Sequence, residues 1–281
     1  MPMFGLLFAS LILLCAAVPG WAAFSVPERL VFEISWGGIT AGTAVQEVTR
    51  SADGIIITST ARSADWLSLL YKVDDRIEAL MSKGEEGRLF GVPRIYRENL
   101  HEGRSRFHKE VTFDHAGRSA QIVNFLDKST QSLEITPITF DSLSCFYYVR
   151  LQQLEPGTSF YIDIFDGKKL HKTEVKVLRR EELETAVGTF KAIVIMPLLQ
   201  TGGIFSKTGD LYIWLTDDER RIPLKMQSKI KIGSITAALV GGSYWPDSPA
   251  PPRGRSRCTF IQGDADIDTS QCDNCHKHKQ R

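Results

Sequence analysis

The feature that most limits what this chain can fold into is a two-residue rhythm near its end. Leu224, Met226, Ile230 and Ile232 share one face of an extended backbone, while Lys225, Gln227, Lys229 and Lys231 share the other. A helix, with 3.6 residues per turn, would scatter these two sets around its surface. The same alternation places Phe32, Ile34 and Trp36 against Glu33 and Ser35, and Gly37-Gly38 follows as a hairpin turn. Asp53-Gly54 precedes the β-branched run Ile55-Ile56-Ile57-Thr58. The segment Phe160 to Phe165 ends in Asp166-Gly167, after which Val175 and Val177 alternate with Glu174 and Lys176. Short strands joined by such turns predict antiparallel pairing. The lysines of the 224–232 strand discourage pairing with another chain.

Other strands are apolar on both faces. Leu211, Ile213 and Leu215 point one way and Tyr212 and Trp214 the other, and Ile193 to Met196 behaves alike. Such strands need cover on both sides, from a second sheet or a helix. Leu143, Phe146, Tyr147, Leu151 and Leu154 recur at helical spacing between Asp141, a suitable N-cap, and Pro156-Gly157, a stop. This spacing predicts a helix over 140–154, and a shorter helical turn is expected over Asp65 to Tyr71. No repeat of 20–50 residues points to a propeller or solenoid. The expected fold is mainly β: a curved antiparallel sheet or partly open β-barrel, covered by one main helix at about 140–154.

With 281 residues the chain can bury a substantial core. Its 34 basic and 33 acidic side chains leave a net charge of +1, which speaks against a nucleic-acid partner. Phe4 to Val18 is an uncharged, apolar run with Ser10 as its one polar residue, and is followed by Pro19-Gly20-Trp21-Ala22, with small residues suited to cleavage. The run is shorter than the roughly 20 residues that span a bilayer, so it reads as a secretory signal over 1–22. A periplasmic or cell-envelope location follows, with no transmembrane span after cleavage. A single β-rich domain is expected over 23–246. After Trp245 come Pro246, Pro249, Pro251 and Pro252, then Arg253, Arg255 and Arg257, and few apolar side chains. Residues 247–281 are therefore expected to be a flexible tail.

Several segments together resemble a known family. They include Phe32-Glu33-Ile34-Ser35-Trp36-Gly37-Gly38-Ile39 with Ala41-Gly42, and Tyr71-Lys72-Val73-Asp74-Asp75-Arg76-Ile77-Glu78. Asp141-Ser142-Leu143-Ser144 leads to Tyr147-Tyr148-Val149-Arg150; Ile164 to Lys169 and Val187-Gly188-Thr189-Phe190 come later. The strongest stretch runs from Gly209-Asp210-Leu211-Tyr212-Ile213-Trp214 through Arg220-Arg221-Ile222-Pro223 to Gly233-Ser234-Ile235-Thr236-Ala237. In this order they resemble the bacterial exported family called domain of unknown function 3108, over roughly 28–240. The resemblance implies an envelope location and a β-rich fold and brings no catalytic residues. It does not reach the tail.

The tail holds the sharpest chemical motif, Cys272-Asp273-Asn274-Cys275-His276. Cys-x-x-Cys-His is the attachment signature of c-type haem, in which two thiols bond the vinyl groups and the histidine supplies an axial ligand. Three other readings compete: a local disulfide within the motif or with Cys258, a metal site using Cys272, Cys275, His276 and His278, and a redox-exchanging thiol pair. Elsewhere, Asp217-Asp218-Glu219 reads as a solvated turn between two strands and Asp74-Asp75 as a polar strand start. His101, His108 and His115 read as surface residues on opposite strand faces. Cys145 reads as a buried structural thiol. No nucleophile elbow, phosphate loop or zinc-protease helix is present in the sequence.

The function expected from these residues is that of a non-enzymatic exported envelope protein. Its aromatic-rich interior would bind an apolar ligand or a protein partner. The alternative is a redox or electron-transfer protein carrying one c-type haem at Cys272, Cys275 and His276; no cofactor is fixed by the sequence, which nominates haem there and, as the other candidate, a metal at Cys272, Cys275, His276 and His278.

Overall fold

A computed structural model describes residues 24–85, 88–198, 211–229 and 233–245. The signal-like run, the tail with Cys258, Cys272, Cys275, His276 and His278, and Ile230 and Ile232 lie outside the described residues.

Strands β1 (Glu28–Trp36) and β2 (Ile39–Ser51) meet at Gly37-Gly38, whose φ values of 57° and 88° are the left-handed pair that a two-residue hairpin turn requires. Strand β3 (Gly54–Ser63) runs so close to β2 that a Cβ on Gly42 would stand 2.2 Å from the Arg62 carbonyl oxygen, so only glycine fits there. The expected turn at 65–71 is helix α1 (Asp65–Ser68). A meander follows: β4 (Asp74–Ser82), β5 (Pro93–Glu102), β6 (Ser105–Asp114), β7 (Ser119–Asn124) and β8 (Ser129–Glu134). Then come β9 (Thr139–Asp141), helix α2 (Ser144–Arg150), β10 (Ser159–Phe165), β11 (Leu170–Thr185), β12 (Gly188–Pro197), β13 (Leu211–Thr216), β14 (Pro223–Lys229) and β15 (Ser234–Gly242).

All fifteen strands form one open sheet in the order β8-β7-β6-β5-β4-β3-β2-β1-β15-β14-β13-β12-β11-β10-β9. Every pairing is antiparallel except β9 with β10. The first and last strands pair in the middle, and the outermost strands, β8 and β9, are consecutive in the chain. Only residues 135–138 join them, a connection that can bridge about 17 Å at most. The two ends of the sheet must therefore approach each other, and the sheet must curl. The result is the partly open, barrel-like form expected from the alternation.

The curl produces two buried clusters. Ile55 and Ile57 on β3, Ala79 and Met81 on β4, Val111 and Phe113 on β6, and Ile193 and Ile195 on β12 face the larger one. Phe24, Tyr147, Val149 and Leu154 join them from outside the sheet. The smaller cluster unites Leu30 and Phe32 of β1 with Ala192 and Val194 of β12, Trp214 of β13 and Leu224 of β14. Strands β12 and β13 are thus buried on both faces, as their sequences demand. Each fully buried aliphatic or aromatic side chain here contributes about 1.5–3 kcal/mol of transfer free energy.

The structure corrects the expected helix. Helix α2 has seven residues rather than the fifteen of 140–154, and it does not cover the sheet. Thr139–Asp141 are pulled into β9 by parallel pairing with β10, and the polypeptide after Arg150 turns away into irregular structure. A parallel pair needs a crossover between its strands, and α2 with its flanks is that crossover. The second faces of β12 and β13 are covered by the curled sheet itself.

Candidate functional site

The long connection between β4 and β5 carries the adjacent apolar pair Leu89-Phe90, and Val92 beyond it, in an otherwise polar stretch. Its neck is clamped where the backbones of Ser82 and Val92 pair and the Ser82 hydroxyl accepts the Val92 N–H at 3.0 Å. Phe90 turns inward and is buried, with its ring 6.3 Å from that of Phe24. Opposite stand Ile138 and Phe140 from the β9 edge and Tyr148, Leu151 and Gln152 from the end of α2. Phe140 and Tyr148 stack at 4.4 Å. Between the two walls lies a cavity of about 450 Å³. Its floor is aromatic and aliphatic, and Lys83, Glu85 and Arg88 stand among its polar lining. The chemistry available is apolar and aromatic contact with charged groups nearby.

Beside this cavity is a dry ion pair. Arg150 is fully buried and its two Nη groups donate to the Glu28 carboxylate at 2.6 and 2.8 Å. One of them also donates to the Arg220 carbonyl at 3.1 Å, and the Tyr244 hydroxyl donates to Glu28 at 2.8 Å. The guanidinium lies 4.2 Å from the centre of the Phe24 ring and 5.2 Å from that of Tyr147. Burial pushes the Tyr147 hydroxyl well above the usual tyrosine range, against the partly offsetting charge of Arg150. Closed off from solvent, the pair joins the start of β1, the end of α2, the β13–β14 turn and the end of β15. It is a clasp rather than a reaction centre.

Asp141 is the second buried charge. Its carboxylate accepts the Leu143 and Ser144 N–H groups at 2.8 Å each and the Ser144 hydroxyl at 2.6 Å, which secures the entry to α2. Loss of solvation dominates and raises its pKa to about 6 despite those bonds.

The other sequence candidates are placed as follows. Asp217 and Asp218 occupy the β13–β14 turn; Asp217 is paired with Arg180 and Arg221, and Asp218 accepts from Thr216 and Arg220. Neither lines the cavity. Asp74 begins β4 and pairs with Arg62, while half-buried Asp75 accepts the His101 N–H. Burial, opposed by that bond, raises the Asp75 pKa. His101 and His108 sit on separate strands of one hairpin, β5 and β6, and His115 follows β6; the single strand assumed from their spacing is two. His115 bonds the Pro93 carbonyl and stacks on Phe113, so it is not a free surface group. Cys145 is partly rather than fully buried, and desolvation raises its thiol pKa. Among the described residues no group of His, Cys, Asp and Glu is arranged to hold a metal. Cys272, Cys275, His276 and His278 are outside those residues.

Sequence reasoning missed Glu28, Arg150 and the β4–β5 wall. The first two sit 122 residues apart with nothing in either neighbourhood to link them. The only local signal for the wall was the pair Leu89-Phe90 in a polar loop.

The molecule so defined is a β-barrel-like protein made from one curled open sheet, with a cavity where the sheet's edge strand meets a short crossover helix. The family model described as protein of unknown function (DUF3108) matches residues 31–240, and the chain belongs to that family. Among solved structures, a β-barrel-like protein of domain of unknown function DUF1849 from Brucella abortus aligns with a TM-score of 0.50 at 12% identity, covering 77% of this chain and 96% of that one. It shares the fold. A candidate exported protein from Bacteroides fragilis aligns at 8% identity with a TM-score of 0.31, over 79% of this chain and 98% of its own. A candidate lipoprotein from Parabacteroides distasonis does so at 7% and 0.29, over 78% and 95%. The comparison with curated proteins finds no match. Among the described residues no helix is long and apolar enough to cross a membrane.

Proposed function

We propose that this protein is a non-enzymatic exported envelope protein that binds an apolar ligand in the cavity between the β4–β5 connection, β9 and the end of α2. The observation that carries this reading is the cavity itself. Its volume lies within the usual range for small-molecule sites, and its floor is built from Phe90, Phe140, Tyr148 and Leu151. A hydrocarbon chain suits such a floor, and the charged groups of the lining would meet a polar head. Export is supported by the apolar run at 4–18 and the small-residue site ending at Ala22.

Ile138 lines the cavity yet is 61% exposed, so a charge there should spoil binding without disturbing the core. Titration of the chain from residue 23 with N-phenyl-1-naphthylamine is expected to give saturable fluorescence that a long-chain fatty acid displaces. Ile138→Glu should weaken this about tenfold with an unchanged unfolding midpoint. Equal binding by both proteins would locate the ligand elsewhere, and no saturable binding would end this reading.

The Cys-x-x-Cys-His motif favours a second reading, covalent haem at Cys272 and Cys275 with His276 as axial ligand. Each thiol would add across one vinyl group, its sulfur and its hydrogen both retained in the thioether product. Intact mass under denaturing conditions, after expression in a host that matures c-type haem, should then show one haem added to the chain. A mass lowered only by disulfide hydrogens leaves the disulfide, and zinc at the same residues or at His278 would appear only in a native spectrum.

A further inference from the structure

In an antiparallel meander alternate connections fall at the same end of the sheet. The β1–β2, β3–β4, β5–β6 and β7–β8 connections therefore share one end, and the β4–β5 wall of the cavity belongs to the other. Exposed large apolar side chains are divided between these ends very unequally. Trp36 and Ile39 flank the first turn, and Trp66, Leu69, Leu70 and Tyr71 follow on α1 and its exit. Phe107, Phe125 and Leu126 belong to the next two hairpins. The only other exposed large apolar residues among those described are Ile138, at the cavity, and Tyr161, along β10.

These turns touch one another. The Trp66 indole donates to the Thr40 carbonyl at 2.9 Å, the Lys72 carbonyl accepts the Gly103 N–H at 2.7 Å, and His108 packs on Phe125 at 4.6 Å. The turns that carry these apolar groups thus form one continuous rim. Leu69 and Leu70 stand out furthest, 89% and 82% exposed, with no apolar neighbour covering them. A monomer gains nothing by holding two adjacent leucines in water, so the rim needs an occupant.

Charge decides which occupant. Lys72, Arg104, Lys128, Lys168 and Lys169 lie at this end, all exposed and without an ion pair among the described residues. The acidic groups nearby are mostly engaged: Asp74 with Arg62, Asp166 with His171, and Asp127 with the Ser129 N–H. Asp65 and Glu102 have no ion pair there. Cations surrounding protruding leucines and indoles match an anionic lipid surface, where apolar groups enter the acyl boundary and tryptophan settles at the headgroups.

We infer that the rim formed by the β1–β2 turn, α1 and the β5–β6 and β7–β8 turns docks this protein onto an anionic bilayer surface, with Leu69 and Leu70 as the inserted residues. The docking end is opposite the cavity and does not depend on what the cavity holds. The test is co-sedimentation of the chain from residue 23 with phosphatidylcholine vesicles, with and without phosphatidylglycerol. Binding to the anionic vesicles is expected, weakened by salt, and accompanied by quenching of tryptophan fluorescence when the acyl chains are brominated. Leu69→Glu/Leu70→Glu should weaken it about tenfold or more, and Lys72→Glu/Lys128→Glu should abolish the preference for anionic lipid. Ile138→Glu, at the other end, should bind vesicles as the unaltered protein does. Absence of vesicle binding, or equal binding by the double-leucine variant, would overturn the inference. So would a dimer in sedimentation velocity that this variant dissolves while vesicles are ignored, which would assign the rim to a second copy of the chain.

Discussion

Arg150→Met is expected to destabilise the protein by about 3–5 kcal/mol, measured by urea unfolding of the chain from residue 23. The cost arises from what is left behind. Glu28 is 2% exposed, and without Arg150 its carboxylate keeps the Tyr244 hydroxyl as its side-chain partner among the described residues. The Arg220 carbonyl also loses a donor. Replacing both partners, Glu28→Leu with Arg150→Met, should recover most of the loss, because a buried ion pair roughly balances desolvation against attraction. A single-variant cost below about 1 kcal/mol would mean that water reaches the pair. The effect should also be global. The clasp ties β1 and β15, which are adjacent in the sheet, to α2 and the β13–β14 turn, so its loss loosens the middle of the sheet and the crossover together.

Asp141→Asn is expected to change how stability depends on pH. The native carboxyl has a pKa of about 6, against an ordinary value of 3.8. Between about pH 4 and pH 6 the folded state therefore holds a proton that the unfolded state has released. By linkage, stability is greatest below this window, falls as pH rises through it, and is level above it. A shift of this size corresponds to about 3 kcal/mol. The amide of the variant would keep an oxygen to accept the Leu143 and Ser144 N–H groups but would carry no charge to desolvate. Relative to the variant, the unaltered protein should lose about 3 kcal/mol between pH 4 and pH 7. The difference between the two proteins is the quantity to measure, because other groups titrate as well. Asp75 and Glu102 are raised chiefly by burial and act in the same direction, whereas Asp166 and Asp218 are held low by hydrogen bonds and act in the opposite one. A flat difference would show that Asp141 ionises at its ordinary pH.

The cavity and the rim bear differently on a common picture. An apolar cavity at one end and an apolar, cation-flanked rim at the other would suit a protein that works where lipid is nearby. The two experiments separate them, since Ile138→Glu tests the first and Leu69→Glu/Leu70→Glu the second. Either can fail alone.

The strands were legible because a β-strand announces its environment residue by residue. Val175 and Val177, and Leu224 and Met226, alternate with polar neighbours, the unbroken apolar run Leu211 to Leu215 marks a strand covered on both faces, and turn dipeptides such as Gly37-Gly38 mark where the chain reverses. Helix α2 was read too long because its apolar spacing continues through Leu154, which is indeed buried, although by a chain that has already left the helix. Burial at helical spacing does not require helical backbone. The histidines were misplaced on one strand because Gly103-Arg104, a tight turn inside a polar stretch, has no apolar boundary to expose it.

By itself, then, the amino-acid order determined the class of fold, several of the hairpins, the strands that must be buried twice, and the motif at Cys272, Cys275 and His276. These are local properties, set by side-chain alternation and by backbone preferences at turns. Only the tertiary structure decided that β1 pairs with β15, that β8 and β9 are the free edges, that Glu28 meets Arg150, and that the β4–β5 connection closes a cavity against β9 and α2. The reason is physical: a side chain's periodicity reports which face it occupies, whereas its partner across the curl depends on how the whole sheet bends to bury both of its faces.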